Sequence, residues 1–405
     1  MKRLVKISIA VIVVAVLALW VSSRWDAWFY NVPEEPYAAA SVPDRITLTS
    51  GEDFMSERTV SWRCGDSVKP SKLVLASEDL DTVSIEAKGT VVQSRGGLDA
   101  FYVASMDSLQ AGYYYSYRVE TEGYEPSEWH WFKMPDKEQA RRSFLFFGDV
   151  QDTLGGNSGQ WFAKLYKKYP EVEFWACAGD LIERPIDAYW NYLYESADSI
   201  LASMPLFNAT GNHDYIKSLY RKADPRWKHT FVYPDNGATT AKGISYYVDF
   251  PDMRFIVIDT DGLQDAMTLA GCYKWLRSCL READDKWKVV MYHHPAYSVR
   301  KGRNNYLIRN TFVPLFDKYG VDLVLQGHEH GYMRVNGNEG EEKRPVYIVS
   351  YMSPKSYKAR EPEQGLKVIA DTRMYQVVEY DDSKLVFNAY SLDTDSILDH
   401  VEMKK

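Results

Sequence analysis

Five short strings in a fixed order constrain this chain more than any other feature. They are GDVQ (Gly148–Gln151), GDLIE (Gly179–Glu183), GNHD (Gly211–Asp214), YHHP (Tyr292–Pro295) and GHEH (Gly327–His330). Each follows a short apolar run with the pattern of a strand, so each places Asp, Asn or His where a strand gives way to a loop. Loops at the carboxyl ends of strands are where α/β folds gather their chemistry. Five of the eight histidines fall inside these strings: His213, His293, His294, His328 and His330. Carboxylates can bridge, amides offer an oxygen and neutral imidazoles offer nitrogen, which together suit two metal ions held close together. Two such ions clamp a phosphoryl group during in-line attack by water. Any one of these residues alone would read as a cap or a core residue; their conjunction reads as a metal site.

The remaining chain divides by texture. From Arg45 to Met134 run short alternating strands, ITLTS, TVSWRC, KLVLA, VSIEAK, FYVASM, YYSYRVETE and EWHWFKM, with turn residues between them at the spacing of a small β-sandwich. No titratable cluster occurs there, which indicates a spacer or packing role. After Pro135 strands alternate with helices, among them SGQWFAKLYKKYP, which carries Phe162, Leu165 and Tyr166, and DAYWNYLYESADSILASM. The runs VYIVSY, MYQVVEYDD and KLVFNAYS predict antiparallel strands and a hairpin. A net charge of −8 with both signs interspersed gives no nucleic-acid footprint.

The N-terminus has its own logic. Lys2, Arg3 and Lys6 precede an apolar run from Ile7 to Val21, the layout of an export signal. As helix that run spans only ~22 Å, short for a membrane crossing. Val21-Ser22-Ser23 is a poor cleavage site, and Trp20, Trp25, Trp28, Phe29 and Tyr30 cluster where an interfacial aromatic belt would lie. Residues 1–23 are therefore expected to be an uncleaved membrane anchor, with a cleaved signal peptide as the alternative, followed by a tether at 24–43. Either way the body is exported to the periplasm or beyond the cell. Four cysteines are too few for a disulfide framework. Cys177 reads as a buried small hydrophobe, and Cys272 and Cys279 share a helix face roughly 10 Å apart, too far to bond. Asn208-Ala-Thr210 fits a glycosylation acceptor but sits in a strand, so it is expected to be buried and unused.

Together the five motifs resemble the calcineurin-like metallophosphoesterase superfamily, and with the N-terminal strands they look like its purple acid phosphatase branch. The resemblance covers roughly Pro43 to Tyr390, with ITLTSGEDFMSERTVSWRC and SLQAGYYYSYRVETEG similar to that branch's fibronectin-III-like domain. It implies an α+β multidomain fold: a fibronectin-III-like β-sandwich at 44–135, then at 140–400 an α/β/β/α sandwich of two mixed sheets. It also implies two divalent or mixed-valence metal ions, Mn, Fe or Zn. By resemblance Asp149 and His330 bind the first, Asp180 bridges, and Asn212, His293 and His328 hold the second.

Two residues depart from the family pattern. Gln151 stands where most of the superfamily has His, as either a ligand or a support for one. Glu183 stands where a tyrosinate would give the purple colour, so none is expected; it either ligates or holds Arg184. His213 is implied as the proton donor, the other reading being a ring held by Asp214. His294 reads as packing or substrate rim, and Arg300, Lys301 and Arg303 as a solvated charge run or a phosphate contact. Arg334, in GHEHGYMR, is expected to support the metal loop.

The function this implies is hydrolysis of small-molecule phosphate monoesters outside the cytoplasm. Phosphodiester hydrolysis is the alternative within enzymes, and an anchored binding protein with a vestigial metal site is the alternative outside them.

Overall fold

The computed structural model describes residues 2–77, 80–337, 345–361, 363 and 366–405. The side chains of Lys2 and Arg3, in the basic flank, lie outside the described residues.

Two mixed sheets carry the five motifs. The first has six strands in the order Leu206–Asn208, Phe174–Cys177, Arg142–Phe147, Met374–Tyr380, Lys384–Ser391 and Ile397–Lys404. The first three are parallel and the rest antiparallel. The second has seven: Tyr246–Asp249, Met253–Ile258, Trp287–Tyr292, Leu323–Gln326, Val346–Val349, Tyr332–Val335 and Leu366–Ile369. Strands such as FWAC and LVLQ are apolar at nearly every position because both of their faces are covered. The sheets meet face to face through aromatic rings, with Phe174 stacked on Phe144 at 4.7 Å and edge-on to Phe255 at 5.6 Å. Helices Ser158–Lys168 and Asp187–Leu201 accompany the first sheet, and Ala266–Arg281 and Tyr306–Tyr319 the second. Register does the positioning: Cys177 pairs with both Phe147 and Asn208, and Tyr292 with both Ile258 and Gln326. Each sheet thus ends its central strands at one level, and the motifs begin there.

Val346–Val349 meets the antiparallel expectation against Tyr332–Val335 and departs from it against Leu323–Gln326, to which it is parallel. After GHEH the chain first lays down Tyr332–Val335, and Val346–Val349 then inserts between it and Leu323–Gln326. The last strand, Ile397–Lys404, was not evident from its mixed pattern ILDHVEMK.

The N-terminal domain is a sandwich of two four-stranded sheets. The segment VSIEAK is not one strand: Leu80–Glu86 belongs to one sheet and Lys88–Gln93 to the other, where only Val92 is buried. The packing role is evident in the contacts. Phe54, fully buried, stacks on Phe250 at 4.4 Å and meets Phe174 at 5.5 Å inside the phosphoesterase core. Arg45 pairs with Asp187, and Tyr117 donates its hydroxyl to the Ala202 carbonyl at 2.7 Å. All four cysteines are buried and unbridged, and Asn208 is inaccessible.

The first helix runs from Lys2 to Phe29, well past the apolar run. Its apolar stretch, Val5–Phe29, is 25 residues long and unburied, so at 1.5 Å per residue it covers about 37 Å and can span a bilayer. The shortness inferred from Ile7–Val21 is thereby corrected, because Trp20 to Phe29 prolong the helix. The following segment is not a free tether either. Asn31 exchanges hydrogen bonds with the Lys217 backbone at 2.7 and 2.8 Å, and Glu34 receives Arg226 at 2.5 Å.

Candidate metal centre

Four of the implied ligands sit in strained backbone. Asp149, Asp180, His328 and His330 have φ of 42°, 53°, 74° and 44°, the left-handed region that side chains avoid. Such positions cost on the order of 1–3 kcal/mol each and persist where the surroundings enforce them. Glycine makes room beside them. A Cβ on Gly211 would lie 2.1 Å from Asp180 Oδ1, and one on Gly327 would lie 2.6 Å from Asp149 Oδ2.

The side chains converge. Donor atoms of Asp180, His293 and His328 all lie within 4.8 Å of one another. His293 Nε2 stands 3.2 Å from Asp180 Oδ2 and 3.3 Å from Asn212 Oδ1, and His328 Nδ1 is 3.1 Å from that same nitrogen. On the other side His330 Nε2 is 3.7 Å from Asp149 Oδ1. The outer nitrogens are tied back: His293 Nδ1 donates to the Ala178 carbonyl and His330 Nδ1 to that of Lys355, both at 2.8 Å. This fixes the tautomer whose lone pair points inward, the arrangement metal-binding imidazoles use.

The charges here act on one another: against the effect of burial, Asp180 and Asp149 push the His293 ring up to about 10, so that its positive charge is shared with the two carboxylates. Burial lifts the Asp149 carboxyl well above the usual range, opposed by His293 and reinforced by Asp180. Burial also works against the Asp180 carboxylate, but His293 and His213 hold it low. Burial pushes His330 down to about 4 and lowers His328 as well, leaving neutral rings. Asp149 Oδ1, His328 Nε2 and Gln151 Oε1 are buried here without a hydrogen-bond partner. Orphaned acceptors on buried carboxylate, imidazole and amide groups are what a pair of cations would satisfy, so this donor set fits two metals.

Gln151 and Glu183 are partners. Gln151 Nε2 donates to Glu183 Oε2 at 2.6 Å, and His213 Nδ1 donates to the Glu183 carbonyl at 2.5 Å. Asp180 accepts the His213 backbone N–H at 2.8 Å. Asp214 caps its loop through Gly211 N at 2.8 Å rather than holding the His213 ring.

His294 contacts Thr260 Oγ1 at 3.1 Å, and its ring lies 4.3 Å from that of His328. Arg300 covers the Tyr357 ring at 4.2 Å, and Arg303 lies 3.6 Å from buried Glu329, between His328 and His330 in sequence. Both arginines thus brace the GHEH loop. Arg334 is a correction: it bonds Asp399 at 2.7 Å and ties its strand to the C-terminal strand, away from the metal loop.

Two supporting residues escaped sequence reasoning. Asp259 receives Thr210 at 2.8 Å and Tyr215 at 2.6 Å, fixing both sides of GNHD. Lys355 orients His330 through its carbonyl. Both follow strands, Met253–Ile258 and Val346–Val349, whose ends carry no motif with His; position after a strand was the available signal.

Two face-packed mixed sheets with Asp, Asn and His converging at one edge define the metallophosphoesterase class of fold. Residues 142–332 match the calcineurin-like phosphoesterase family, and residues 43–134 match the purple acid phosphatase N-terminal domain. The chain thus carries a calcineurin-like phosphoesterase domain behind a purple acid phosphatase N-terminal domain. It is 26% identical over 168 residues to purple acid phosphatase 15 of Arabidopsis thaliana, covering 40% of this chain and only 31% of that one. It is 24% identical over 364 residues to purple acid phosphatase 1 of Ipomoea batatas, covering 81% and 74% respectively. Its fold is similar to that of a purple acid phosphatase from yellow lupin (Lupinus luteus), with TM-score 0.74 and 16% identity over 90% of this chain and 74% of that one.

Proposed function

We propose that this protein hydrolyses phosphate monoesters with two bound metal ions, outside the cytoplasm. The observation that carries this is the convergence of donors from all five motifs, with Asp149 Oδ1, Gln151 Oε1 and His328 Nε2 buried and unpartnered. Asp149, His330 and Gln151 would hold one ion, Asn212, His293 and His328 the other, and Asp180 would lie between them. Bound there, the ions supply positive charge for the phosphoryl oxygens and lower the pKa of water toward neutrality.

The protein's own groups do the rest. The Ala178 and Lys355 carbonyls keep the His293 and His330 rings in one tautomer. Glu183 turns Gln151 so that its amide oxygen, not its nitrogen, is free. His213, partly exposed and fixed at Nδ1 by the Glu183 carbonyl, presents Nε2 beside Gln151 at 3.4 Å. In its doubly protonated form, with Nδ1–H on that carbonyl, it would deliver the Nε2 proton to the departing alcohol oxygen. Export with retention of the first helix as an anchor belongs to the same reading, supported by the unburied 25-residue apolar stretch and its basic flank.

The test is turnover by the full chain, stripped with chelator and reloaded separately with Mn, Zn, Fe or Co. p-Nitrophenyl phosphate is expected to be hydrolysed in preference to bis(p-nitrophenyl) phosphate, and Asp180→Asn to abolish activity. Preference for the diester would assign the alternative, and no turnover with any metal would refute the hydrolase.

A further inference from the structure

The end of the membrane-length helix forms a wall of the catalytic cleft. A cavity of about 230 Å³ is lined by Ala27, Tyr30 and Asn31 together with Asn212 and His213. Four cationic residues share that lining: Arg95, Arg184, Lys217 and Arg221. The helix end is clamped there. Besides the paired hydrogen bonds between Asn31 and Lys217, Arg95 donates to the Val32 carbonyl at 2.9 Å and the Pro185 carbonyl at 3.1 Å. Lys217 Nζ reaches the Asp26 carbonyl at 3.3 Å.

The depth of this cavity follows from the aromatic residues around it. Trp25 and Tyr30, 55% and 51% exposed, flank Ala27 in sequence and mark the interfacial end of the helix. A cleft touching Ala27 and Tyr30 therefore opens at the level of lipid headgroups.

A second feature, on the hairpin that Asn31 bonds through Lys217, agrees. Directly after GNHD, the paired strands Tyr215–Ile216 and Lys222–Ala223 hold out a turn whose tip is Leu219, 92% exposed, followed by half-exposed Tyr220. Lys217, Arg221 and Lys222 flank that tip. An apolar tip in a basic collar is the composition that seats on an anionic membrane surface. The loop that supplies Asn212 and His213 thus also carries a membrane-seeking tip.

Resting on the hydrolase and anchor readings above, we propose that the substrate is a phosphate monoester carried by a membrane lipid, presented to His213 from the bilayer that holds the helix. The cationic lining receives the headgroup, and the acyl or prenyl chain stays in the membrane. Water attacks phosphorus, the bond between phosphorus and the lipid oxygen breaks, and that oxygen takes a proton from His213; inorganic phosphate and the lipid alcohol are the products.

The full chain in phosphatidylcholine vesicles is given phosphatidate or a long-chain polyprenyl phosphate in the same bilayer, and separately the soluble glycerol 3-phosphate and p-nitrophenyl phosphate. At least one lipid phosphate is expected to be used about tenfold more efficiently than glycerol 3-phosphate. Leu219→Glu should lower lipid turnover about fivefold and leave p-nitrophenyl phosphate turnover unchanged, since Leu219 is not part of the cleft lining. Turnover of soluble esters with lipid phosphates used no better, or with Leu219→Glu slowing both alike, overturns the lipid substrate and leaves the hydrolase standing. No turnover of any ester removes the hydrolase reading and this inference with it.

Discussion

Gln151 donates its side-chain N–H to Glu183 Oε2 at 2.6 Å, and its own amide oxygen is left buried without a partner. The two residues that depart from the family pattern are therefore coupled: one offers an oxygen, and the other sets which way it faces. Gln151→Ala should weaken one metal of the pair about 10–100-fold and leave the other tight. Glu183→Ala, which frees the amide to rotate, should cause a smaller loss at the same site. Metal titration of the stripped variants checks this. Two unaltered affinities in Gln151→Ala would mean that the amide oxygen faces no metal.

His213 touches neither orphaned carboxylate nor any outer ring nitrogen, so its loss should spare the metals. His213→Ala should lower turnover of an alkyl phosphate by about 10²–10⁴-fold, with metal content retained. The loss on p-nitrophenyl phosphate should be smaller, because a good leaving group needs less help from an acid. Equal losses on both substrates would argue for phosphate binding in place of proton donation.

Phe54 joins the two domains. Fully buried and stacked on Phe250 at 4.4 Å, it fills a hole in the phosphoesterase core that the sandwich alone supplies. Phe54→Ala should cost about 3–5 kcal/mol in denaturant unfolding. A loss below about 1 kcal/mol would show that the domains are stabilised independently of this contact.

His229 gives the fold an acid limit. Burial, with Lys228 nearby, pushes its imidazole down to about 4, and it lies 6.0 Å from the Phe101 ring at the domain boundary. The unfolded chain then binds the extra proton first. Stability contributed by the neutral ring is complete above the ordinary value of about 6.5 and is lost as pH falls from there toward 4. Melting temperatures of wild type and His229→Gln, compared at pH 7 and pH 4.5, should show a steeper acid loss in the wild type. Parallel curves would remove His229 from the account.

The candidate site was legible because each motif follows a strand, and four of the five open on a glycine, YHHP being the exception. GDVQ and GHEH could be read as partners only through order, yet the His328 N–H reaches Asp149 at 2.5 Å across 179 positions of sequence. What escaped was whatever lacked local pattern. Ile397–Lys404 mixes Asp, His and Glu with apolar residues at a sheet edge, so tertiary pairing decides it. Arg334 was assigned to the metal loop by its neighbours in sequence, whereas its carboxylate partner Asp399 lies 65 positions away. The helix boundary was misjudged because aromatic residues after Val21 were read as a belt beyond the helix, when they continue it to Phe29.

The most direct test of the dinuclear phosphoesterase is a titration of the chelator-stripped full chain with Mn(II), following p-nitrophenyl phosphate hydrolysis at each addition. Activity should climb and saturate at two equivalents per chain, in keeping with one ion at Asp149 and His330 and one at Asn212, His293 and His328. Saturation at one equivalent, or no activity at any ratio with Mn, Zn, Fe or Co, would contradict it.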